Sequence, residues 1–280
     1  MSRHRWESYD SVADAYNRVC VPGYEPLARD LIALVGLEPD ATVLDVGTGT
    51  GVVAGATARR LERGLLVGVD PSVTMLGLAR ASTPVTVVAG ESPGLPFPAR
   101  AFDVVLANLV ISHVDQYELA LADMARVLRP GGRLGVTAWG SLDEDPIDDR
   151  DQRELTRIWE SVSGRFASLE TVGDRVGAAC RHEGWFGDPA HLRAALTGSR
   201  LRGVELHGRT YHRDVSLGDA LAGYETSFWG RFLHDALSET EWTRFRREVA
   251  EEAGRALPDP VVLVDQVLIA VGTKPFDARP

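Results

Sequence analysis

A glycine-rich turn at the junction of an apolar β-branched run and an Ala-rich run constrains this chain more than any other feature. Val43-Leu44-Asp45-Val46 leads into Gly47-Thr48-Gly49-Thr50-Gly51, and Val52 then opens the Ala/Arg stretch. Such a turn predicts a strand that ends where a helix begins, with some group approaching the backbone closely. The alternation continues downstream. Strands are predicted over Thr42–Val46, Leu65–Val69, Val85–Ala89, Phe102–Ala107 and Arg133–Ala138, and helices over Val52–Glu62, Val73–Ala81 and Gln116–Leu128. Strand, helix, strand in this order is the pattern of a parallel sheet covered by helices. Pro130, Gly131 and Gly132 are read as the stop of the last of these helices.

Two helices are predicted ahead of this core, about Ser8–Asn17 and Glu25–Val35, separated by a turn at Pro22-Gly23. Beyond it, Asp143 to Asp151 holds six acidic residues around Pro146, and Leu155, Ile158, Trp159, Val162 and Phe166 then fall at helical spacing. We read that stretch as an inserted lid. A helix over Ala190–Leu196, an alternating strand over Val204–Tyr211, one aromatic-rich helix over Leu217–Asp235 and a further helix after the cap Ser238-Glu239-Thr240-Glu241 follow, and Val261–Val271 is expected to close the sheet. The expected division is cap helices in residues 1–40, a ligand-binding core in 41–140, the lid in 141–200, and in 201–280 C-terminal strands that complete the sheet around an inserted aromatic-rich helical segment. The fold class is α/β: a Rossmann-like sheet, mostly parallel, with helices on both faces, an antiparallel last strand and a helical lid.

Composition narrows the partners. The chain carries 30 Lys and Arg against 40 Asp and Glu, a formal charge of -10, which disfavours a nucleic-acid partner because phosphate backbones demand a basic face. Lys274 is the one lysine, so lysine-dependent covalent chemistry has a single candidate. The most apolar stretch, Val261 to Val271, is interrupted by Asp265 and Gln266, and Met1 to Asp10 is polar. No membrane span and no signal peptide are expected, and a cytoplasmic location is the default. Cys20 and Cys180 are too few for a disulfide framework or a zinc cluster and are read as packing residues. No metal site is expected: His207 and His212 lie an odd number of residues apart in a strand-like run, on opposite faces.

The turn itself points to a ligand. A dinucleotide fingerprint would require a third glycine at position 52, where Val52 stands. Asp45 at the strand end would repel a pyrophosphate and hold an ammonium group. Asp70, in Gly68-Val69-Asp70-Pro71-Ser72, ends the second strand roughly 20 residues past the turn, the placement used to grip ribose hydroxyls. Capping of the following helix is the competing role for Asp70. An amino-acid ammonium, a ribose and no phosphate together describe S-adenosylmethionine.

At this point the chain resembles class I S-adenosylmethionine-dependent methyltransferases of the ubiquinone/menaquinone-methyltransferase-like kind, from about Tyr9 to Trp139. Asp45, Gly47, Thr48, Gly49 and Gly51 match the family motif that cradles the methionine moiety, Asp70 the acid that pairs with ribose, and Met75 an apolar residue against adenine. Pro71 lies within the same segment. Gly90-Glu91-Ser92 stands where relatives usually carry Gly-Asp-Ala, so Glu91 departs by one methylene from the carboxylate that accepts from the adenine amino group. The resemblance further implies that Asn108 borders the methionine and the reacting methyl group and that Tyr16 closes over the cofactor, with a plain core tyrosine as the competing reading. S-adenosylhomocysteine would be the product.

Methyl transfer from a sulfonium is an in-line displacement, in which the protein mainly holds the acceptor near attack distance and, where needed, removes a proton. His113 is the candidate base, with cofactor-side packing and surface exposure as its alternatives. Trp139 is read as core before substrate contact. The acidic run 143–151 is read as solvated charge, with a cationic acceptor or Mg²⁺ as the alternative. Four aromatic residues lie in 41–140 and eleven in 151–250, among them Trp159, Phe166, Trp185, Phe228, Trp229 and Phe245. That concentration suggests a lid lining an apolar or aromatic acceptor pocket. Were the methyl added to an alkene carbon, Glu144, Glu160 or Glu170 would be the candidates to take a proton.

The leading reading is therefore a methyltransferase acting on O or C of a small, largely apolar metabolite in cofactor or natural-product biosynthesis, with a homodimer left open. The alternative is a protein of this fold that binds S-adenosylmethionine without transferring methyl, as a cyclase or a regulatory binder. A nicotinamide dehydrogenase is opposed by Val52 and Asp45.

Overall fold

The structure, a computed structural model, describes residues 7–142 and 147–276. Three helices open the described chain: α1 (Glu7–Asp10), α2 (Ala13–Val19) and α3 (Val21–Val35). Pro22 and Gly23 do not form the expected turn; both lie inside α3, and the break between helices falls at Cys20. Pro22 sits in the first helical turn, where its missing N–H leaves no acceptor wanting. A side chain at position 23 would collide with the Arg213 guanidinium.

Strands and helices then alternate through β1 (Thr42–Val46), α4 (Val52–Ala58), β2 (Leu65–Asp70), α5 (Val73–Ser82), β3 (Thr86–Ala89), β4 (Phe102–Asn108), a 3₁₀ turn (Ile111–His113), α6 (Tyr117–Val127) and β5 (Leu128–Trp139). Pro130, Gly131 and Gly132 are not a stop between elements as expected; they lie within β5. Leu128 pairs with Phe102, and the register slips before Arg133 meets Val104. That irregularity absorbs a proline that cannot donate to the ladder.

The second half runs α7 (Arg150–Ser163), α8 (Leu169–Ala179), α9 (Glu183–Phe186), α10 (Pro189–Gly198), β6 (Arg202–Val215), α11 (Leu217–Thr226), α12 (Phe228–Ala236), α13 (Glu239–Ala256) and β7 (Val261–Thr273). The single helix expected over Leu217–Asp235 is two. Ser227 separates them, and its hydroxyl caps α12 by accepting from the Gly230 amide at 3.1 Å.

The seven strands lie in the order β3-β2-β1-β4-β5-β7-β6. β1 to β5 pair in parallel, and β7 is antiparallel to both β5 and β6. The last strand therefore enters between its neighbours, and β6 forms the edge. Period-two alternation sends side chains to both faces. Leu44, Val105 and Leu268 pack on one face with Leu121 and Met124 of α6 and Leu192 of α10. Val43, Val104 and Ile269 pack on the other with Leu27 and Leu31 of α3 and Val53 of α4. Coverage on both faces is why these strands read as continuous apolar runs.

The stretch expected to be one lid divides. Phe186, Leu192 and Leu196 are buried in the sheet's own core, so α9 and α10 belong to the scaffold. In contrast, Leu155, Ile158, Trp159 and Val162 share one face of α7, as their spacing predicts, and meet Leu221, Phe245 and Val249 from α11 and α13 in a separate cluster. Two side chains tie this cluster to the sheet: Asp151 accepts from the Val262 amide at 2.9 Å and Gln152 from the Val264 amide at 2.7 Å. Among the described residues no helix is long and apolar enough to cross a membrane.

Candidate functional site

Sheet order reverses after β1, with β2 and β3 on one side and β4 and β5 on the other. The loops after β1 and β4 diverge at such a switch and leave a crevice at the carboxyl ends of the strands. A cavity of about 1000 Å³ occupies that crevice. The Gly47–Gly51 turn forms part of its floor. Gly47, Gly49 and Gly51 all have positive φ (67°, 55° and 94°), a conformation that L side chains rarely adopt. At Gly47 a Cβ would also run into the Val110 side chain from the opposing loop.

Four of the turn's amides are already engaged. Gly47 and Thr48 donate to the Val69 carbonyl, Gly51 to the Thr48 carbonyl, and Gly49 to Asp70 Oδ2 at 2.9 Å. A pyrophosphate would need amides of this kind left open, so the hydrogen bonding speaks against a dinucleotide as the Val52 spacing does. Asp70 is buried at the end of β2 and also accepts from the Ser72 amide at 2.8 Å. Burial raises its pKa, and the two amides pull it back down. The cap of α5 is Ser72, whose hydroxyl accepts from the Met75 amide, so the competing role for Asp70 is filled by a neighbour. Asp70 keeps lone pairs toward the cavity for hydroxyl donors.

Asp45 is placed differently from the sequence-based expectation. It does not line the cavity: it lies fully buried beneath the turn, with Oδ2 accepting from the Thr48 hydroxyl at 2.7 Å and Oδ1 without a hydrogen-bond partner. Burial pushes its pKa up to about 7, against the pull of the Thr48 hydroxyl. Thr48 and Gly51 are buried beside it and likewise do not line the cavity. The other expected residues, Tyr16, Gly47, Gly49, Asp70, Pro71, Met75, Glu91, Ser92, Asn108 and His113, all do. The Ser92 hydroxyl is turned to the Ala120 carbonyl. Asn108 accepts from the Thr137 hydroxyl, which in turn accepts from the Leu109 amide, pinning the loop after β4 where Leu109 takes a φ of 55°.

The far half of the cavity is built from elements distant in sequence. Tyr9, Tyr16 and Tyr24 come from α1, α2 and α3, Trp139 from the end of β5, Cys180 and Glu183 from the α8–α9 region, and Phe228 and Trp229 from α12. Tyr16 stands edge-on to Tyr9 at 5.9 Å, and Tyr24 lies 6.0 Å from Trp139. Burial raises the pKa of both Tyr16 and Tyr24 well above the usual phenol value, so these hydroxyls stay protonated. His113 Nδ1 lies 3.6 Å from Cys180 Sγ, and its ring is 5.4 Å from that of Phe228.

Several expectations change here. Both cysteines line the cavity instead of serving only as packing, with Cys20 Sγ 3.3 Å from the Thr226 hydroxyl. Trp139 faces the cavity as well as the core. Of the eleven aromatics in 151–250, only Phe228 and Trp229 reach the lining; most of the rest fill the α7–α13 cluster. Glu160 and Glu170 are exposed and away from the cavity, Glu144 lies outside the described residues, and the glutamate that does line this half is Glu183. Within the acidic run, Asp148 and Asp149 pair with Arg150 and Arg153. Tyr9, Tyr24, Cys180 and Glu183 carried no local signal, because only chain folding over long separations brings them together.

Among the described residues the lining carries four carboxylates, Asp70, Glu91, Asp115 and Glu183, and no lysine or arginine. Such a surface accommodates a cationic ligand and disfavours a polyphosphate. The residues fit S-adenosylmethionine on these grounds: a buried acid beneath the turn, a second acid facing the cavity, and Met75 for an apolar ring.

Comparisons with known proteins agree. Residues 44–136 match the methyltransferase domain family. An uncharacterized methyltransferase of Mycobacterium tuberculosis is 40% identical over 139 residues, 49% of this chain and 54% of that protein, so the chain spans about half the length of that relative. A trans-aconitate 2-methyltransferase of Azoarcus is 30% identical over 227 residues, 81% of this chain and 82% of the relative. A solved methyltransferase of Thermotoga maritima has the same fold, with a TM-score of 0.53 at 20% identity, covering 97% of this chain and 100% of that one. With a relative matched over four-fifths of both chains and the switch-point site in place, the chain belongs to the S-adenosylmethionine-dependent methyltransferase family.

Proposed function

We propose that this protein transfers a methyl group from S-adenosylmethionine to an oxygen or carbon of a small metabolite with a largely apolar body. The observation that carries the reading is the continuity of one cavity from the glycine turn and Asp70 to a wall of Tyr9, Tyr16, Tyr24, Trp139 and Phe228. Its volume, about 1000 Å³, is at the upper end of small-ligand sites and leaves room for a cofactor and an acceptor together. The bound cofactor supplies an electrophilic methyl group.

The chain's own residues bind, orient and exclude water. In this reading Asp70 holds the ribose, Met75 covers adenine, Glu91 accepts from the exocyclic amine, and Tyr16 closes the site; all four line the cavity. Asn108, fixed by Thr137, borders the junction of the two halves. His113 stands at that junction and is the residue we assign to proton removal where the acceptor requires it. The Azoarcus relative is named for a small polycarboxylic acid, which supports a small-molecule acceptor.

The test is twofold. Calorimetry should show binding of S-adenosylmethionine and none of NADH, and incubation with candidate acceptors should release S-adenosylhomocysteine. Cofactor binding with no turnover across a broad acceptor set would favour the non-transferring alternative.

A further inference from the structure

The acceptor half leaves one charge unanswered. Arg231 of α12 is only 5% exposed, and among the described residues neither of its Nη atoms has a hydrogen-bond partner. Its Nε donates to the Ser227 carbonyl at 3.3 Å, and its charge acts on the Tyr9 hydroxyl beside it. The guanidinium carbon lies 3.9 Å from the centroid of the Tyr9 ring and 4.3 Å from that of Phe228. Both rings line the cavity, so the cation stands directly behind its wall. Arg213 offers the contrast: it lies against Gly23, and Asp265 answers its charge at 2.8 Å.

Aromatic faces compensate a cation only in part, and a buried charge without a counter-ion is costly to keep. Such a group is explained when a ligand completes it. We propose that Arg231 selects an acceptor bearing a carboxylate, bound with its anionic end against the Tyr9–Phe228 wall. Arg231 acts through that wall and is a specificity residue; the hydroxyls that can touch the carboxylate are those of Tyr9 and Tyr16, which burial keeps protonated and therefore able to donate. Glu183 on the same lining opposes an anion; burial disfavours its charged form and raises its pKa, against the pull of the Cys180 thiol. Asp70 and Glu91 lie at the cofactor end, and Asp115, the fourth carboxylate of the lining, faces the Arg181 guanidinium at 3.8 Å. The aromatic wall holds the apolar body while the guanidinium field, weakly screened at this depth, fixes its orientation.

This inference rests on the methyltransferase reading of the cavity, and the two are tested separately. Calorimetry of the full chain with S-adenosylhomocysteine comes first; absence of binding would sink the methyltransferase reading. The protein is then titrated with matched acid and amide pairs: cinnamate with cinnamamide, phenylacetate with phenylacetamide, and hexanoate with hexanamide. At least one acid should bind about tenfold more tightly than its amide, a preference that charge recognition in a poorly screened site supplies. Arg231→Gln should reduce that ratio to near one with S-adenosylhomocysteine affinity unchanged, and Arg231→Lys should restore part of it. Should the Gln variant fail to fold, the wild-type ratio and the Lys variant still decide. No acid preference in the wild type, or a ratio untouched by either substitution, overturns the proposal.

Discussion

The Gly49 amide donates to Asp70 Oδ2 at 2.9 Å, joining the turn after β1 to the end of β2 across 21 residues. One carboxylate thus shapes the floor of the cavity and also lines it. Asp70→Ala should weaken S-adenosylmethionine binding by about 1–3 kcal/mol, the scale of losing a hydrogen bond to a charged group. Asp70→Asn, whose amide oxygen can still accept from one N–H, should lose less. Calorimetric titration of both variants checks the ranking.

Asp45 makes the protein's pH response distinctive. Its carboxyl holds a proton up to about pH 7 in the folded chain, against an ordinary value of 3.8. A raised carboxyl pKa stabilises the fold fully below the ordinary value, and that contribution is lost as pH rises to 7; at 1.36 kcal/mol per pH unit the deficit at pH 8 is on the order of 4 kcal/mol. Asp45→Asn should therefore raise the melting temperature at pH 8 and change it little at pH 4. A ligand carrying an ammonium group favours the ionised carboxyl, so wild-type affinity should fall by up to about tenfold per unit below pH 7. The Asn variant should bind weakly and without that dependence.

Gly47 is held at a φ of 67°, and a Cβ there would strike the Val110 side chain. Gly47→Ala should destabilise the protein by roughly 1–3 kcal/mol through backbone strain and overpacking. Adding Val110→Ala should recover the steric part and leave the strain. Chemical denaturation of the single and double variants separates the two contributions.

His113 and Cys180 meet at 3.6 Å on the acceptor side. If His113 removes a proton, His113→Ala should lower kcat by about 10²–10⁴-fold with cofactor affinity nearly unchanged. Cys180→Ala should leave kcat within a few-fold and shift its pH profile, since the thiol contacts the imidazole without reaching the reacting atoms by itself. An unaltered rate in His113→Ala assigns the histidine to packing.

Local chemistry explains what could be read in advance. The β-branched alternation of β1, β2 and β4, the glycines after β1 and the acid closing β2 each act within a few residues, so their spacing alone implied alternating strands and helices with a turn that a ligand approaches, whereas the switch point at that turn follows from the strand order. Where a residue's role depends on distant partners, local reading failed. Pro22 and Gly23 look like a turn until the helix start and the Arg213 side chain are in place. Leu217 to Asp235 looks like one helix until Ser227 takes up its cap. Phe245 and Phe228 belong to the same aromatic-rich segment, yet one seals the core of the α7–α13 cluster and the other faces the cavity.

Sequence by itself therefore determined the α/β class, because hydrophobic period and turn conformation are properties of short stretches, and the motifs around Asp45 and Asp70 carried the resemblance that pointed to the family. Tertiary structure decided that Asp45 lies beneath the turn instead of facing the cavity, that β7 enters between β5 and β6, and that Tyr9 and Cys180 share one wall with Arg231 behind it. Those outcomes depend on which apolar faces bury one another across long separations, and side-chain burial then sets which charges meet solvent, a ligand or nothing at all.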